Sequence, residues 1–275
     1  YRIEIEPGTR WKDLVLIGAS LDSGSIIDDL SRKKKAEISK NIIGALKSPY
    51  NHDVFEDYST YLIEEIEEKK KDETILSVSD PIDLLKIAAV PELLLSEPTK
   101  SLSDSTRKSI MSNISQYTKK DLLVLDWNSA LVLDFTKEKE YQEYIDIIEF
   151  GITQLLELRI YDQLLDERLD SLYDSMEKNE HNQITDFYSK LSTEAGQLYL
   201  EFSDFFEKID NSIKTVGDFY SAKVLKSANK RMGFDELKQT MSRKIDTLSK
   251  ISTMLQSRVD ALIDDKRTLI GEENI

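Results

Sequence analysis

The residues with the best spacing for metal chemistry lie near the carboxyl end of the chain. Asp260 and Asp264 are four positions apart, so on a helix both carboxylates project from one face, and Asp265 follows directly. Repeated around an oligomer, such a pair could bind a divalent cation, because hard cations prefer oxygen ligands. Lys266 and Arg267 would neutralise much of this charge. Asp260 and Asp264 are therefore candidate ligands only, and no metal site is predicted.

A second candidate for chemistry is the segment Gly18-Ala19-Ser20, which follows the apolar run 14–17. A strand that opens into a glycine turn is typical of nucleotide sites, but phosphate-binding loops use several glycines and this segment has one. The only histidines, His52 and His181, do not lie near a glycine-framed serine. A hydrolytic triad therefore has little support, no cofactor is predicted, and a non-enzymatic protein is the favoured interpretation.

Composition narrows the classes of partner. The chain of 275 residues has 52 acidic and 37 basic side chains and a net charge of −15, which opposes binding to nucleic acid. It has no cysteine, which excludes disulfides and thiolate chemistry. No apolar run reaches the roughly eighteen residues of a membrane span, and the start lacks a signal-peptide pattern. Because the chain begins with Tyr1, we expect a processed chain or a fragment of a longer protein.

The first half of the chain, up to about Phe135, has the pattern of a mixed α and β domain. Alternating polarity predicts a strand at 2–6, and the short apolar run 14–17 is consistent with another. A helix with a serine cap is predicted at 31–46. Residues 58–66 could form a strand or a helix, and we favour a strand.

Two further helices and a hairpin complete this half. Asp80 followed by Pro81 indicates a helix start, and 106–117 is predicted to be another helix. In the segment 122–135, two apolar runs flank Asp126-Trp127-Asn128-Ser129, which predicts a hairpin whose strands are covered on both faces. The alternation of strands and helices predicts an α/β layer.

After Thr136 the pattern is helical alone. Apolar residues at spacings of three and four predict helices over 141–177, 184–220 and 237–270. Short connections, a polar break at 179–182 and a glycine turn at 232–235, make these helices antiparallel neighbours, with Asp235 able to cap the last of them.

The predicted fold class is α+β. A mixed α/β domain, residues 1–135, is followed by a long antiparallel three-helix bundle or stalk, residues 136–275. Charge supports the packing within the bundle, because the segment 137–218 has 20 acidic and 8 basic residues, a net charge of −12, whereas 219–258 has 9 basic and 3 acidic, a net charge of +6. We expect this attraction to select the alignment of the helices, while burial of apolar side chains supplies most of the stability.

Four segments of the last sixty residues form a further pattern: Phe219-Tyr220-Ser221-Ala222-Lys223-Val224, Arg231-Met232-Gly233-Phe234, Ser242-Arg243-Lys244-Ile245-Asp246-Thr247-Leu248 and Met254-Leu255-Gln256-Ser257-Arg258-Val259. This pattern resembles the C-terminal helices of the Rmd/YagE-type uncharacterised membrane proteins. In that family a paired helical region leads into a C-terminal membrane helix, commonly after an arginine and a leucine, much as Arg267 and Leu269 stand here. The resemblance implies no catalytic residues.

These observations predict a non-enzymatic scaffold or sensor domain at the cytoplasmic face of a membrane, anchored by a membrane segment outside this sequence. Its partner would be another protein or a second copy of the chain. The residues expected to interact lie at the far end of the last helix: Val259, Leu262, Lys266, Arg267 and Leu269. Two alternatives stay open, a soluble partner-binding subunit of a larger complex and an enzyme with a site in the α/β half.

Overall fold

Apolar residues fill both central strands of a small mixed sheet, and helices cover its two faces. The computed structural model describes residues 1–21, 26–46, 52, 54–69, 75–99, 101–136, 141–177, 184–214 and 217–272. The strands are β1 (Ser59–Ile63), β2 (Glu67–Lys69), β3 (Ile75–Ser77), β4 (Ile114–Ser115), β5 (Asp121–Leu125) and β6 (Ser129–Asp134). The helices are α1 (Trp11–Ser20), α2 (Ile26–Ile42), α3 (Pro81–Ile87), α4 (Val90–Leu94), α5 (Asp104–Met111), α6 (Tyr141–Glu177), α7 (Ile184–Ile213), α8 (Phe219–Arg231) and α9 (Phe234–Glu272).

The main sheet has the strand order β1-β6-β5-β4. β5 and β6 form the predicted antiparallel hairpin, and β1 is parallel to β6. Every residue of β5 and β6 is buried. Leu122, Val124, Leu131 and Leu133 belong to a core cluster with residues of α1, α3, α4 and α5. The alternate residues face the opposite side, where α8 packs on β5. The predicted layer covered on both faces is confirmed.

The chain forms two compact units that alternate along the sequence. The first consists of 1–153 and 218–232, and the second of 154–217 and 233–275. The fold class, α+β with a helix-covered sheet followed by long helices, is confirmed. The domain boundary at residue 135 stays a prediction, because compactness does not reveal which segments fold independently.

Four local predictions in the first half are wrong. Residues 2–6 form no strand, and the run 14–17 lies within α1, where Trp11, Leu14 and Val15 face the core while Leu16 is exposed. α2 begins at Ile26, five residues before the predicted serine cap. α5 ends at Met111, after which Ile114 and Ser115 pair with β5. The strand at 58–66 and the helix start at Asp80 are confirmed; the Asp80 carboxylate accepts a hydrogen bond from the amide of Ile82.

In the second unit, residues from α6, α7 and α9 share one core cluster. Ser192 of α7 lies beside Ser252 of α9, whereas Asp210, further along α7, pairs with Lys238 near the start of α9. The two helices are therefore antiparallel, as predicted. The expected attraction between acidic and basic segments is also present, because Lys244 pairs with carboxylates of α6.

The helix predicted over 184–220 is in fact two helices. α7 ends at Ile213, and α8 begins at Phe219 behind an Asp218 cap, whose carboxylate accepts from the amides of Tyr220 and Ser221. α8 belongs to the first unit. Gly233, with φ of +77°, ends it in the left-handed conformation that glycine adopts at low cost. The turn at 232–235 is thus confirmed, although Asp235 lies in the first turn of α9 rather than at its cap. The predicted break at 179–182 lies outside the described residues.

Candidate functional site

Three buried aspartates bound the central hairpin of the first unit. Asp121 begins β5, Asp134 ends β6 and Asp126 lies in the turn between them; they expose 6%, 2% and 3% of their surface. Buried carboxylates require partners, because removing a charge from water without compensation is strongly unfavourable. The partners of these aspartates therefore show what kind of site they form.

At the open end of the hairpin, Asp121 and Asp134 are direct neighbours across the strand pair. Asp121 Oδ1 accepts from the amides of Tyr117 at 2.9 Å and Thr118 at 2.8 Å. Asp134 Oδ1 accepts from the amide of Thr136 at 2.9 Å, and its Oδ2 accepts from the amide of Tyr141, the first residue of α6, at 3.0 Å. Both carboxylates therefore satisfy amides of the loops and helix that leave this edge of the sheet.

Two tyrosines extend this cluster. The Tyr144 hydroxyl donates to Asp121 Oδ2 at 2.7 Å and lies 3.4 Å from the Tyr220 hydroxyl. With Tyr117, these residues line a cleft of about 290 Å³ within the first unit. Burial raises the pKa of Tyr144, as do its hydrogen bonds, and burial also raises the pKa of Tyr220. Both hydroxyls therefore stay protonated at neutral pH, and Tyr144 acts as a hydrogen-bond donor rather than as a base.

At the turn end of the hairpin, Asp126 pairs with the last residue of α8. Arg231 donates to Asp126 Oδ1 through Nη2 at 2.7 Å and through Nε at 2.9 Å. The Tyr58 hydroxyl lies 2.8 Å from the carbonyl oxygen of Ser129 and 3.1 Å from that of Asp126, which ties the segment before β1 to the same turn. The Ser129 hydroxyl in turn donates to the carbonyl of Leu94 in α4 at 2.6 Å.

The two clusters anchor helices to the sheet. Asp134 holds the start of α6, Asp121 holds Tyr144 one turn further on, and Asp126 holds the end of α8. The sequence analysis did not single out Asp121 or Tyr144 as members of a buried polar cluster. The available signal was positional: aspartate occurs at the ends of otherwise apolar strands, where a backbone amide or a helix end is in reach.

Gly18, the candidate nucleotide-loop glycine, has a packing role instead. It lies in α1, not after a strand, and is buried. A Cβ atom at this position would overlap the hydroxyl oxygen of Tyr61 in β1 and lie 3.2 Å from its Cζ atom. The glycine thus permits close contact between α1 and β1, and the interpretation as the opening of a phosphate site is wrong.

The two candidate metal ligands contact residues of their own helix, and the two histidines lie beside or within undescribed segments. Asp260 accepts from Gln256 at 3.1 Å, and Asp264 lies 3.7 Å from Arg267. Within the described ranges, no group of three or more histidine or acidic side chains is arranged to hold a metal ion. His52 lies between two undescribed segments, and His181 is itself outside the described residues.

The residues predicted to interact differ in their exposure along α9. Val259 is buried, Leu262 is half-buried, and Lys266 and Arg267 are exposed. The side chain of Leu269 lies outside what is described. Val259 thus belongs to the interior of the second unit, and among the side chains of α9 that the structure describes no later one is buried.

Fold and site together define an α+β protein in which buried strand-end aspartates attach helices to a small mixed sheet, followed by a long-helix bundle. Residues 1–140 match the family described as Uncharacterized protein MJ0711, N-terminal domain, and the chain belongs to this family.

The chain is also similar, over most of its own length, to part of a longer protein. It is 26% identical over 230 residues to Uncharacterized protein MJ0711 of Methanocaldococcus jannaschii, a match that covers 82% of this chain. The chain spans 65% of the length of that relative. No solved structure shows significant similarity to it. Among the described helices, none has the length and apolarity needed to cross a bilayer.

Proposed function

We propose that the chain is a non-enzymatic scaffold or sensor region of a membrane-anchored protein, placed at the cytoplasmic face of the membrane. The observation that carries this proposal is the length of α9. The helix has 39 residues, yet the core cluster of the second unit includes none of its residues after Leu255, and Val259 is its last buried side chain among those described.

The pairing of α7 with α9 supports this reading. Ser192 lies level with Ser252, so in an antiparallel pair the first residue of α7, Ile184, lies level with about residue 260 of α9. The last dozen residues of α9 therefore continue roughly 18 Å past the start of α7 at 1.5 Å per residue. A helical extension of that length buries little of its own surface, and we expect a neighbouring molecule to stabilise it.

The state of the buried carboxylates supports a non-enzymatic role. Asp121 and Asp134 line the cleft beside Tyr144, but they and Asp126 each accept at least two hydrogen bonds from the protein. A catalytic carboxylate needs an oxygen that is free to reach a substrate, and a pocket that admits one. The role of these aspartates in the proposed function is therefore to stabilise the fold.

The membrane anchor in this proposal rests on the resemblance of the C-terminal helices to the Rmd/YagE-type membrane proteins. The partner would be another protein or a second copy of the chain, bound through the exposed end of α9 around Leu262, Lys266 and Arg267. Since the chain spans only part of the length of its relative, such an anchor would lie in the longer protein.

Membrane fractionation of the full-length protein tests the proposal. We expect the protein in the membrane pellet, resistant to high salt and released by detergent. A photo-cross-linking residue at Leu262 should then capture the neighbour of α9, while the same residue at exposed Leu200 of α7 serves as the control. A full-length protein that stays in the supernatant, or equal cross-linking at both positions, would contradict the proposal.

A further inference from the structure

Strand β1 lies at one edge of the main sheet and leaves part of its backbone unpaired. The Ser59 amide donates to the carbonyl of Asn128 at 3.0 Å, so Ser59 and every second residue after it face β6. Thr60 and Leu62 therefore direct their amide and carbonyl groups to the opposite side. No described strand pairs with β1 on that side, and the described residues supply no partner for these groups. Unpaired groups at a sheet edge are a template for another strand.

This edge lacks the features that commonly protect an exposed strand. Edge strands are often very short, or carry a lysine or a proline. β4 at the other edge has only two residues, whereas β1 has five, with the sequence Ser-Thr-Tyr-Leu-Ile. Tyr61 and Ile63 pack against the core cluster, so Thr60 and Leu62 lie on the other face of the sheet. A strand added here would continue both faces.

The segment 1–6 has the properties of a strand without a partner. Every residue of it is exposed, and its first five residues make no backbone hydrogen bond with the described part of the chain. Arg2 Nε lies 4.0 Å from Glu4 Oε1, as expected for alternate side chains on one side of an extended segment. Three large apolar side chains alternate with these charges and expose 74%, 46% and 38% of their surface: Tyr1, Ile3 and Ile5.

We propose that the segment 1–6 of one molecule pairs with β1 of a second copy as an antiparallel strand. Charge complementarity selects this direction. An antiparallel strand can place Arg2 opposite Glu64, the residue that directly follows β1. A parallel strand that starts level with β1 would instead place Glu6 opposite Glu64. The first arrangement forms a cross-strand ion pair, whereas the second brings two like charges together.

The same antiparallel register matches the backbone. With Arg2 opposite Glu64, Glu4 lies opposite Leu62. Two residues further along, Glu6 lies opposite Thr60, so the added strand meets both residues of β1 whose backbone groups are unpaired. Pro7, which has no amide hydrogen, falls outside these hydrogen-bonded pairs.

The register also matches the apolar side chains. Ile3 lies opposite Ile63, and Ile5 lies opposite Tyr61, on the side of the sheet that holds the core cluster. Each copy has one segment and one edge, so reciprocal exchange between two copies closes as a dimer. Two such additions bury on the order of 1,000 Å², the lower limit for a specific interface. This inference is independent of the proposed membrane-proximal role, which uses the end of α9.

Light scattering and sedimentation of the 275-residue chain test the inference. We expect a reversible equilibrium between monomer and dimer, with dimer present at about 100 μM. Ile3→Gln with Ile5→Gln should raise the dissociation constant at least about hundredfold, because each dimer loses four apolar contacts. Ile82→Gln with Ile87→Gln changes two exposed isoleucines of α3 and should leave the constant unchanged.

Charge reversal tests the register. Arg2→Glu and Glu64→Arg should each raise the dissociation constant about tenfold, because each dimer contains the pair twice. The two reversals combined in one chain should return the constant to within about threefold of the parent value. Losses that simply multiply in the combined variant would show that these residues are not opposite each other, and would overturn the inference.

Cysteine cross-linking distinguishes a second copy from the strand of the same chain, because the chain has no cysteine of its own. Ile3→Cys mixed with an affinity-tagged Ile63→Cys should form a disulfide between the tagged and the untagged chain on oxidation. Ile5→Cys mixed with the same tagged variant is two residues out of register, and should cross-link at least about tenfold more slowly.

A chain that stays monomeric at about 100 μM, or a dimer that Ile3→Gln with Ile5→Gln leaves intact, overturns the inference. So does a disulfide that forms only within single chains of the double variant Ile3→Cys with Ile63→Cys, since the edge would then bind its own segment. Because the segment 1–6 is exposed, its glutamine variants should keep the circular dichroism and urea midpoint of the parent chain. Membrane sedimentation of the full-length protein is unaffected by any of these outcomes and tests the proposed function separately.

Discussion

Arg231 and Asp126 join the end of α8 to the turn of the central hairpin, with both donor nitrogens directed at one carboxylate oxygen. At the other end of the same helix, Tyr220 lies beside Tyr144, which is bonded to Asp121. From residue 220 to 231 a helix rises about 16 Å, and from 121 to 126 a strand extends about 16 Å. α8 and β5 are therefore parallel elements of matched length, attached at both ends.

The first prediction concerns this ion pair. Arg231→Met should lower the free energy of unfolding by about 2–4 kcal/mol, because it leaves the Asp126 carboxylate buried without its charge partner. Urea unfolding of Arg231→Met, of Asp126→Asn and of the double variant measures the coupling free energy between the two side chains. Arg243→Met removes an exposed arginine of α9 and should change the free energy by less than about 0.5 kcal/mol. Equal effects of the two arginine variants would refute the anchoring role.

The second prediction concerns the cleft at the other end of α8. Tyr144→Phe should destabilise the protein by about 1–3 kcal/mol, because Asp121 Oδ2 loses its donor while staying buried. The half-exposed Tyr173 provides the control, and Tyr173→Phe should be nearly neutral. If Tyr144→Phe were equally neutral, water would replace the hydroxyl and the cleft would not depend on it.

Alkaline pH should weaken the first unit through its buried tyrosines. Burial raises the pKa of Tyr58 and of Tyr144. Since the folded state holds each proton more tightly, their contribution to stability is complete below the unfolded pKa of about 10 and is lost as pH rises above it. Urea unfolding between pH 9 and pH 11, with absorbance at about 295 nm to follow ionisation, should show a steeper loss in the parent chain than in Tyr58→Phe with Tyr144→Phe.

The fourth prediction tests the close contact between α1 and β1. Gly18→Ala should destabilise the protein by about 1–3 kcal/mol through overlap with Tyr61, although alanine is the better helix former. In a Tyr61→Leu background the same change should become neutral or stabilising, by up to about 1 kcal/mol. Gly44→Ala, where a new Cβ meets nothing within 4 Å, is the control. Destabilisation that persists in the Tyr61→Leu background would show that packing against this ring is not the cause.

The last prediction concerns Lys244 in the bundle, which pairs with Asp162 at 2.6 Å and with Asp166 at 2.7 Å. Burial lowers the pKa of Lys244, but its hydrogen bonds to these carboxylates outweigh burial and raise it overall. Lys244→Met should therefore cost about 1–2 kcal/mol at low salt, and less as salt screens the two carboxylates left facing each other. Lys250→Met, an exposed position on α9, should show no such salt dependence.

Predictions of helices and strands from local sequence patterns were correct where a single segment contains all the residues that form the pattern. The helix over 141–177 has the bounds predicted for it, because its apolar spacing is uninterrupted and no proline occurs in it. The hairpin was predicted equally well, since two apolar runs flank the turn-forming residues Asp126-Trp127-Asn128-Ser129. The prediction for the run 14–17 failed because periodicity cannot distinguish four consecutive apolar residues in a strand from the same residues in a helix.

The α+β class, the central strands covered on both sides and the pairing of acidic with basic helices in the bundle could all be predicted from the amino-acid sequence. These properties follow from composition and periodicity, which act over neighbouring residues. The position of α8 on β5 rather than in the bundle could not be predicted, because Arg231 and Asp126 are 105 positions apart and no local pattern relates them. For the same reason, Gly18 could be understood only once Tyr61 was seen beside it.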